Sequence, residues 1–404
     1  MNPHNALAWL NFFIADVRDG LCSYLGVFLK QHNFMESQIG LISTIASLCA
    51  LLFAIPLGIF IDKTSHKKAL IAFCILAIVF ATLANYFYPH FGFTLLAQMS
   101  VALCGVCLAP AFAALTLGIV GLSDYSRQVS LNEAYKHAGT AFSALLSLGF
   151  AFYYGIGAIF VITALMGVFS LLFLSLIRSS SINHKVARGQ EGDTSISLWK
   201  ALSDKSVLIL GAAMFCFHLS NAYMLPLLSQ RAHTLGIDSS GAYAAATILI
   251  AQSTMIVVPL VCMKILTRPH SLAVATCFSQ VYFILMALCF VALIVRGGIA
   301  AHFENLIGMV ATQILDGIGA GITGVILPVL VAIMLRGSGH INAALACVMT
   351  LGSIGAALSG SLGGFIAQYY GYFYAYIALS CVAFAGLLLW IVSFRILQAQ
   401  RRWG

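Results

Sequence analysis

About twelve apolar runs, each roughly twenty residues long, constrain this chain more than any single residue in it. They begin near Leu7, Ile39, Ala69, Phe93, Val129, Gly157, Val207, Gly241, Leu272, Asn305, Ile341 and Tyr372. Each is long enough to cross a hydrocarbon layer of ~30 Å as an α-helix. The runs are continuously apolar, whereas barrel strands alternate over about ten residues, so the pattern predicts helices and not a barrel. With 61% hydrophobic and 8% charged residues, the composition excludes a soluble domain. The fold class expected is an all-α membrane protein. No cleavable secretory signal precedes the first run, so that run is expected to stay as a membrane helix.

The basic residues set an orientation. If the runs alternate in direction, Lys63, Lys67, Lys68, Arg127, Arg178, Lys185, Arg188, Lys200, Lys205, Lys264, Arg268, Arg336, Arg395, Arg401 and Arg402 fall on one side, about fifteen in all. Only Lys30, Arg231 and Arg296 fall on the other. That bias predicts cytoplasmic termini in an inner, or plasma, membrane. The net charge of +8 is dispersed over separate short loops, so it points to membrane lipids as partners and not to nucleic acid. Cysteines such as Cys22, Cys74 and Cys216 lie inside the apolar runs and read as packing residues. Cys104 and Cys107 form a lone C-x-x-C without a second pair, and no metal site is expected there.

A polar stretch from Arg178 to Lys205 divides six runs from six. The domains expected are an N-terminal six-helix bundle over 1–178, a linker over 179–204 and a C-terminal six-helix bundle over 205–404. Short echoes relate the halves. Tyr153-Tyr154-Gly155 at the sixth run matches Tyr369-Tyr370-Gly371 at the twelfth, and Arg127 before Asn132 matches Arg336 before Asn342. A duplicated six-helix unit is the economical reading.

Between the second and third runs the chain reads Gly58-Ile59-Phe60-Ile61-Asp62-Lys63-Thr64-Ser65-His66-Lys67-Lys68. A glycine ends one membrane-length segment, an acid follows one turn later, and a tight basic turn enters the next segment. The spacing resembles the signature loop of the major facilitator superfamily of secondary transporters, with Ser65 where the family usually has a second glycine and His66 where it has an arginine. Phe12-Phe13-Ile14-Ala15-Asp16-Val17-Arg18-Asp19, Asn132-Glu133-Ala134-Tyr135-Lys136-His137, Asn221-Ala222-Tyr223-Met224 and Gln313-Ile314-Leu315-Asp316-Gly317 resemble a bacterial twelve-helix subgroup of mostly unassigned substrate. The resemblance covers essentially the whole chain and implies two pseudo-symmetric six-helix bundles. It also implies that Asp62, with Gly58, Lys63, Lys67 and Arg127, governs a conformational change. In the family this acid bonds to the N-terminal end of a helix, here the one starting near Ile341, and to basic residues such as Arg127. The fifth run carries Gly139 and Gly149 but no proline, so the drug-antiporter motif is only partly present.

An ionised group near the bilayer centre costs at least ~2.5 to 3.5 kcal/mol, so such groups normally face a cavity or a partner. Asp19 falls about 18 Å into the first run and Asp316 about 16 Å into the tenth. The resemblance places both on helices that line a central cavity. Asp16 and Asp19 share a helix face while Arg18 points away from both. Glu133, Lys136 and His137 stand at helical spacings nearer one end, as a proton relay, a gate or a self-neutralising cluster. His218 and Asn221, three apart, and Gln313 are candidate substrate contacts. The bland alternative for all of these is a compensated structural network that never meets substrate.

The function expected is secondary active transport of a small solute by alternating access, coupled to protons through Asp19 or Asp316, with efflux favoured. The alternatives are proton-coupled uptake of a nutrient or of a metal chelate such as a siderophore, and a transporter-like membrane sensor. No Gly-x-x-x-x-Gly-Lys-Ser/Thr loop for ATP is present. Neither Gly-x-Gly-Asp nor His-Glu-x-x-His occurs, so no enzyme is expected. No cofactor is expected beyond the proton gradient, and a monomer is expected.

Overall fold

With no water in the bilayer core, a spanning segment must close its backbone hydrogen bonds within itself, and a helix does so. The computed structural model describes residues 2–19, 22–190, 196–236, 242–267, 279–303 and 305–398, and no strand occurs among them. Helices α1 (Pro3–Asp19), α2 (Cys22–Gln31), α3 (Glu36–Lys63), α4 (Lys67–Phe87), α5 (Phe91–Tyr154) and α6 (Gly157–Ser175) fill the first half. A short α7 (His184–Ala187) and α8 (Leu198–Leu202) occupy the polar stretch. The second half holds α9 (Lys205–Asn221), α10 (Met224–Thr234), α11 (Ala242–Leu266), α12 (Gln280–His302), α13 (Leu306–Met334), α14 (Ile341–Tyr370), α15 (Tyr372–Val392) and α16 (Phe394–Gln398).

At 64 residues α5 would run about 96 Å, far beyond one crossing. Gly121, at φ 72° and ψ 173°, breaks it into two membrane helices; a side chain would oppose that backbone. Among the described residues, ten helical stretches are long and apolar enough to span. One of them is this broken α5, which counts twice, and α1 with α2 covers the first run, so twelve spans result. The ninth is expected to begin near Leu272, which lies outside the described residues; α12 itself starts at Gln280, after the extended Ser279. That shift carries Arg296 from an external loop to the interior of α12.

Two compact units divide the chain. One comprises Met1–Glu191 with Gly339–Ala346, and the other comprises Gly192–Ser338 with Cys347–Gly404. The first is cored by Leu7, Leu10, Ile14, Ile75, Leu108, Leu115 and Met166. A smaller cluster around Leu227, Ala300, Tyr376 and Leu379 packs the second. Large apolar side chains also cover the outside, with Leu52 at 72%, Phe80 at 73% and Val392 at 77% exposure. In water such a surface would aggregate; in lipid it is the solvated face. The two Tyr-Tyr-Gly echoes are alike in structure. Both tyrosine pairs are exposed and close a helix, and Gly155 (φ 72°) and Gly371 (φ 93°) turn the chain into the next one. Exposed tyrosines at helix ends suit the membrane–water boundary.

Candidate functional site

Two clusters of buried polar groups stand out, one in each unit. In the first, Gly58 and Asp62 are four apart on α3 and so share a face. A Cβ on Gly58 would lie 2.8 Å from the Cβ of Ala346 and 2.8 Å from the carbonyl oxygen of Asn342, so only glycine lets α3 approach the start of α14 this closely. The approach delivers Asp62, 3% exposed, to backbone N–H groups that have no partner inside their own helix. Its Oδ1 accepts from the Asn342 N–H (3.1 Å) and side-chain Nδ2 (2.7 Å), and Oδ2 accepts from the Ala343 N–H (2.9 Å). A carboxylate at a helix N-terminus is stabilised by the aligned peptide dipoles as well as by these bonds. Asn342 Nδ2 also donates to the Ala187 carbonyl at 3.0 Å, which ties in α7.

Of the basic residues expected around Asp62, Lys67 is buried and donates to the Thr64 carbonyl at 2.7 Å. Lys63 is exposed. Arg127 is exposed too and makes no hydrogen bond to Asp62, so that expected contact is absent. Uncharged donors on α14 already occupy both carboxylate oxygens.

The second cluster joins three helices. Asp316 on α13 (7% exposed) meets Arg296 on α12 (1% exposed), with Arg296 Nη1 2.9 Å from Asp316 Oδ1. Asn221, at the end of α9, donates through Nδ2 to the same oxygen at 2.9 Å, while its Oδ1 accepts from Arg296. The other guanidinium nitrogen, Nη2, is buried without a hydrogen-bond partner. Asp316 is therefore a compensated acid and not a lone one. His218, one turn before Asn221, packs its ring against Gly352 of α14, where a Cβ would fall 2.7 Å from Cδ2. Gln313 is fully buried and its amide reaches the Thr312 hydroxyl at 3.4 Å. Arg231 is buried near the end of α10, where it donates to the Ala300 and Ala301 carbonyls at the C-terminal end of α12.

The remaining candidates belong to the first unit. Asp16 is buried and accepts from the Ser143 hydroxyl on α5. Arg18 and Asp19 fall on α1, but their side chains lie outside the described residues. Lys136 and His137 both reach Glu133, His137 at 3.7 Å, and this half-buried trio neutralises itself along one helix. Sequence reasoning missed Arg296, although the apolar residues on both sides of it were a signal. It also missed Ser143 as the partner of Asp16, for which one sequence carries no signal.

Twelve membrane helices, a glycine-permitted acid on a helix N-terminus and a buried ion pair inside the spans describe a multi-pass membrane protein. The chain belongs to the Major Facilitator Superfamily, whose family model matches residues 7–299. The uncharacterized MFS-type transporter Rv2456c of Mycobacterium tuberculosis strain H37Rv is 33% identical over 398 residues, 96% of this chain and 92% of that one. The corresponding MT2531 of strain CDC 1551 matches to the same extent. Among solved structures, FucP in the outward conformation superposes with a TM-score of 0.76 at 15% identity, covering 97% of this chain and 98% of that one. The human organic anion transporter MFSD10 gives 0.73 at 12%, covering 96% and 100%. Both likenesses concern the fold. Membership establishes a lipid-embedded protein that moves a small-molecule solute by secondary transport.

Proposed function

We propose that the protein is a proton-coupled exporter of a small solute that works by alternating access in an inner membrane. In this reading both termini are cytoplasmic, the protein is a monomer, and the proton gradient drives transport without a cofactor. The observation that carries the reading is the Asp62 contact. Its carboxylate is held wholly by N–H donors at the start of α14. Such a contact can break and re-form because water can take over the released helix-end donors, as a switch between two nearly balanced states requires. The Arg296–Asp316–Asn221 cluster supports coupling, because a charged pair inside a membrane helix is costly and is normally kept for a function.

Solute counterflow and proton flux in proteoliposomes, run against a solute panel with either orientation of gradient, test this directly. Solute-dependent proton movement is expected, with extrusion from everted vesicles reversed. Solute exchange that ignores the proton gradient sinks the coupling. A second reading, uptake of an anionic nutrient or metal chelate, is favoured by the buried Nη2 of Arg296, a cationic donor with no hydrogen-bond partner.

A further inference from the structure

A cleft of about 380 Å³ lies in the first unit where the start of α4, the end of α6 and the segment entering α7 meet. Its lining is mostly apolar inside the spans and mostly polar outside them, with Ser175 and Ile182 the exceptions. Ala72 and Leu171 line the part inside the spans Lys67–Phe87 and Gly157–Ser175. Ser65, His66 and His184 line the part outside them, with Lys68 at the boundary, and no acidic residue contributes to the lining. The Lys68 ammonium is fixed there by the carbonyls of Ser175 (3.2 Å) and Ile177 (2.6 Å). His184 Nδ1 is buried and has no hydrogen-bond partner. Burial, with the cationic neighbours Lys67, His66 and Arg188, lowers the His184 pKa below the ordinary histidine value, as expected where a positive local field lacks an anion.

We propose that this cleft binds an anionic phospholipid, with its phosphate on Lys68, His66 and His184 and an acyl chain along Ala72 and Leu171. A soluble anion would use the basic mouth and leave the apolar part unfilled. A neutral lipid would fill the apolar part and leave the cationic groups without a counter-charge. One amphiphile with a negative head satisfies both, and basic pockets between membrane helices bind such heads. Phe73 and Leu172, next in sequence to the lining residues Ala72 and Leu171, are apolar and exposed at 64% and 50%. His184 opens α7, whose last residue, Ala187, accepts from Asn342. An occupied cleft therefore braces the Asp62 contact.

Thermal unfolding of the purified full-length protein in neutral detergent tests the site, with added phosphatidylglycerol, phosphatidylcholine or inorganic phosphate. Phosphatidylglycerol is expected to raise the midpoint saturably, and the other two are expected to leave it in place. His184→Gln and Lys68→Gln should each need about fivefold more phosphatidylglycerol for half the shift. Ala72→Phe, which fills the cleft without changing charge, should remove the shift. Lys264→Gln, which deletes an exposed charge at the end of α11, should keep it. Should Lys68→Gln fail to fold after losing its carbonyl contacts, the other two cleft variants decide. An equal shift with inorganic phosphate assigns the site to a free anion, and an equal shift with phosphatidylcholine assigns it to bulk lipid. Either result overturns the proposal, as does an unaltered phosphatidylglycerol response in His184→Gln and Ala72→Phe.

Discussion

Asp62 and Asp316 are both buried acids on membrane helices, yet their surroundings solve the same electrostatic problem in opposite ways. Asp62 is satisfied by two backbone N–H groups and an amide, all neutral, at the start of α14. Asp316 is satisfied by a guanidinium and an amide, so it carries its counter-charge inside its own unit. Releasing Asp62 exposes ordinary helix-end donors that water can satisfy. Separating Asp316 from Arg296 leaves two uncompensated ions in a medium of low dielectric. The first arrangement suits a contact that comes and goes, and the second suits one that only a proton or a charged solute can trade for.

The sharpest way to break the comparison is Arg296→Ala, which leaves the Asp316 carboxylate uncompensated and should cost about 3–5 kcal/mol of stability. Pairing it with Asp316→Leu should restore much of that loss, as read from thermal unfolding of the single and double variants. If the double variant is no better than the single, the pair is not the unit described here. Asp316→Asn keeps size and hydrogen bonding but removes the titratable charge, and it is expected to insert and lose proton-coupled transport. A wild-type proton-to-solute ratio in that variant removes Asp316 from the coupling step.

Asp62→Asn should act more gently and on a different quantity. An amide has one acceptor oxygen where the carboxylate used two, so one helix-end N–H loses its partner, a change of about 1–3 kcal/mol in the balance of states. Exchange between inward and outward states should change while solute affinity stays close to wild type, which site-specific labels and equilibrium binding can separate. Gly58→Leu should shift the same balance in the same direction, because its Cβ alone meets Ala346 and Asn342 at 2.8 Å. Glu133→Gln, in the half-buried trio with Lys136 and His137, should destabilise less than Arg296→Ala, because Lys136 at 22% exposure is less buried than the Asp316 that Arg296→Ala strands.

The smallest effect expected is at His184. Its folded pKa lies below the ordinary value, so the folded chain binds fewer protons there than the unfolded chain. The stability linked to its neutral form is present above the ordinary histidine range and is lost as pH falls through that range. His184→Gln should therefore narrow the difference in melting temperature between about pH 7.5 and about pH 5.5. A difference identical to wild type would show that His184 titrates alike in both states.

Much of the architecture was legible because the bilayer imposes a length and a polarity on every crossing. The apolar runs gave the helices and their count, and Gly58 and Asp62 could be placed at a helix end from local pattern alone. The resemblance pointed Asp62 to the helix starting near Ile341, and its bonds to Asn342 and Ala343 lie there. Arg296 was misread as a loop residue because a run's start is poorly marked by hydropathy, and a shift of two turns moves a charge across a boundary. The resemblance also pointed Arg127 to Asp62, but no hydrogen bond joins the two. The backbone donors that hold Asp62 instead are common to every residue and carry no signature.

Sequence alone determined that this protein crosses the membrane as helices, in two similar halves, with acids that need partners. Only the tertiary structure decided which partners those are. Periodicity and hydropathy are properties of neighbouring residues, and they report how a segment meets its solvent. The pairing of Asp62 with Asn342, 280 positions away, and of Asn221 with Asp316, 95 positions away, depends on how helices pack, which local pattern does not encode.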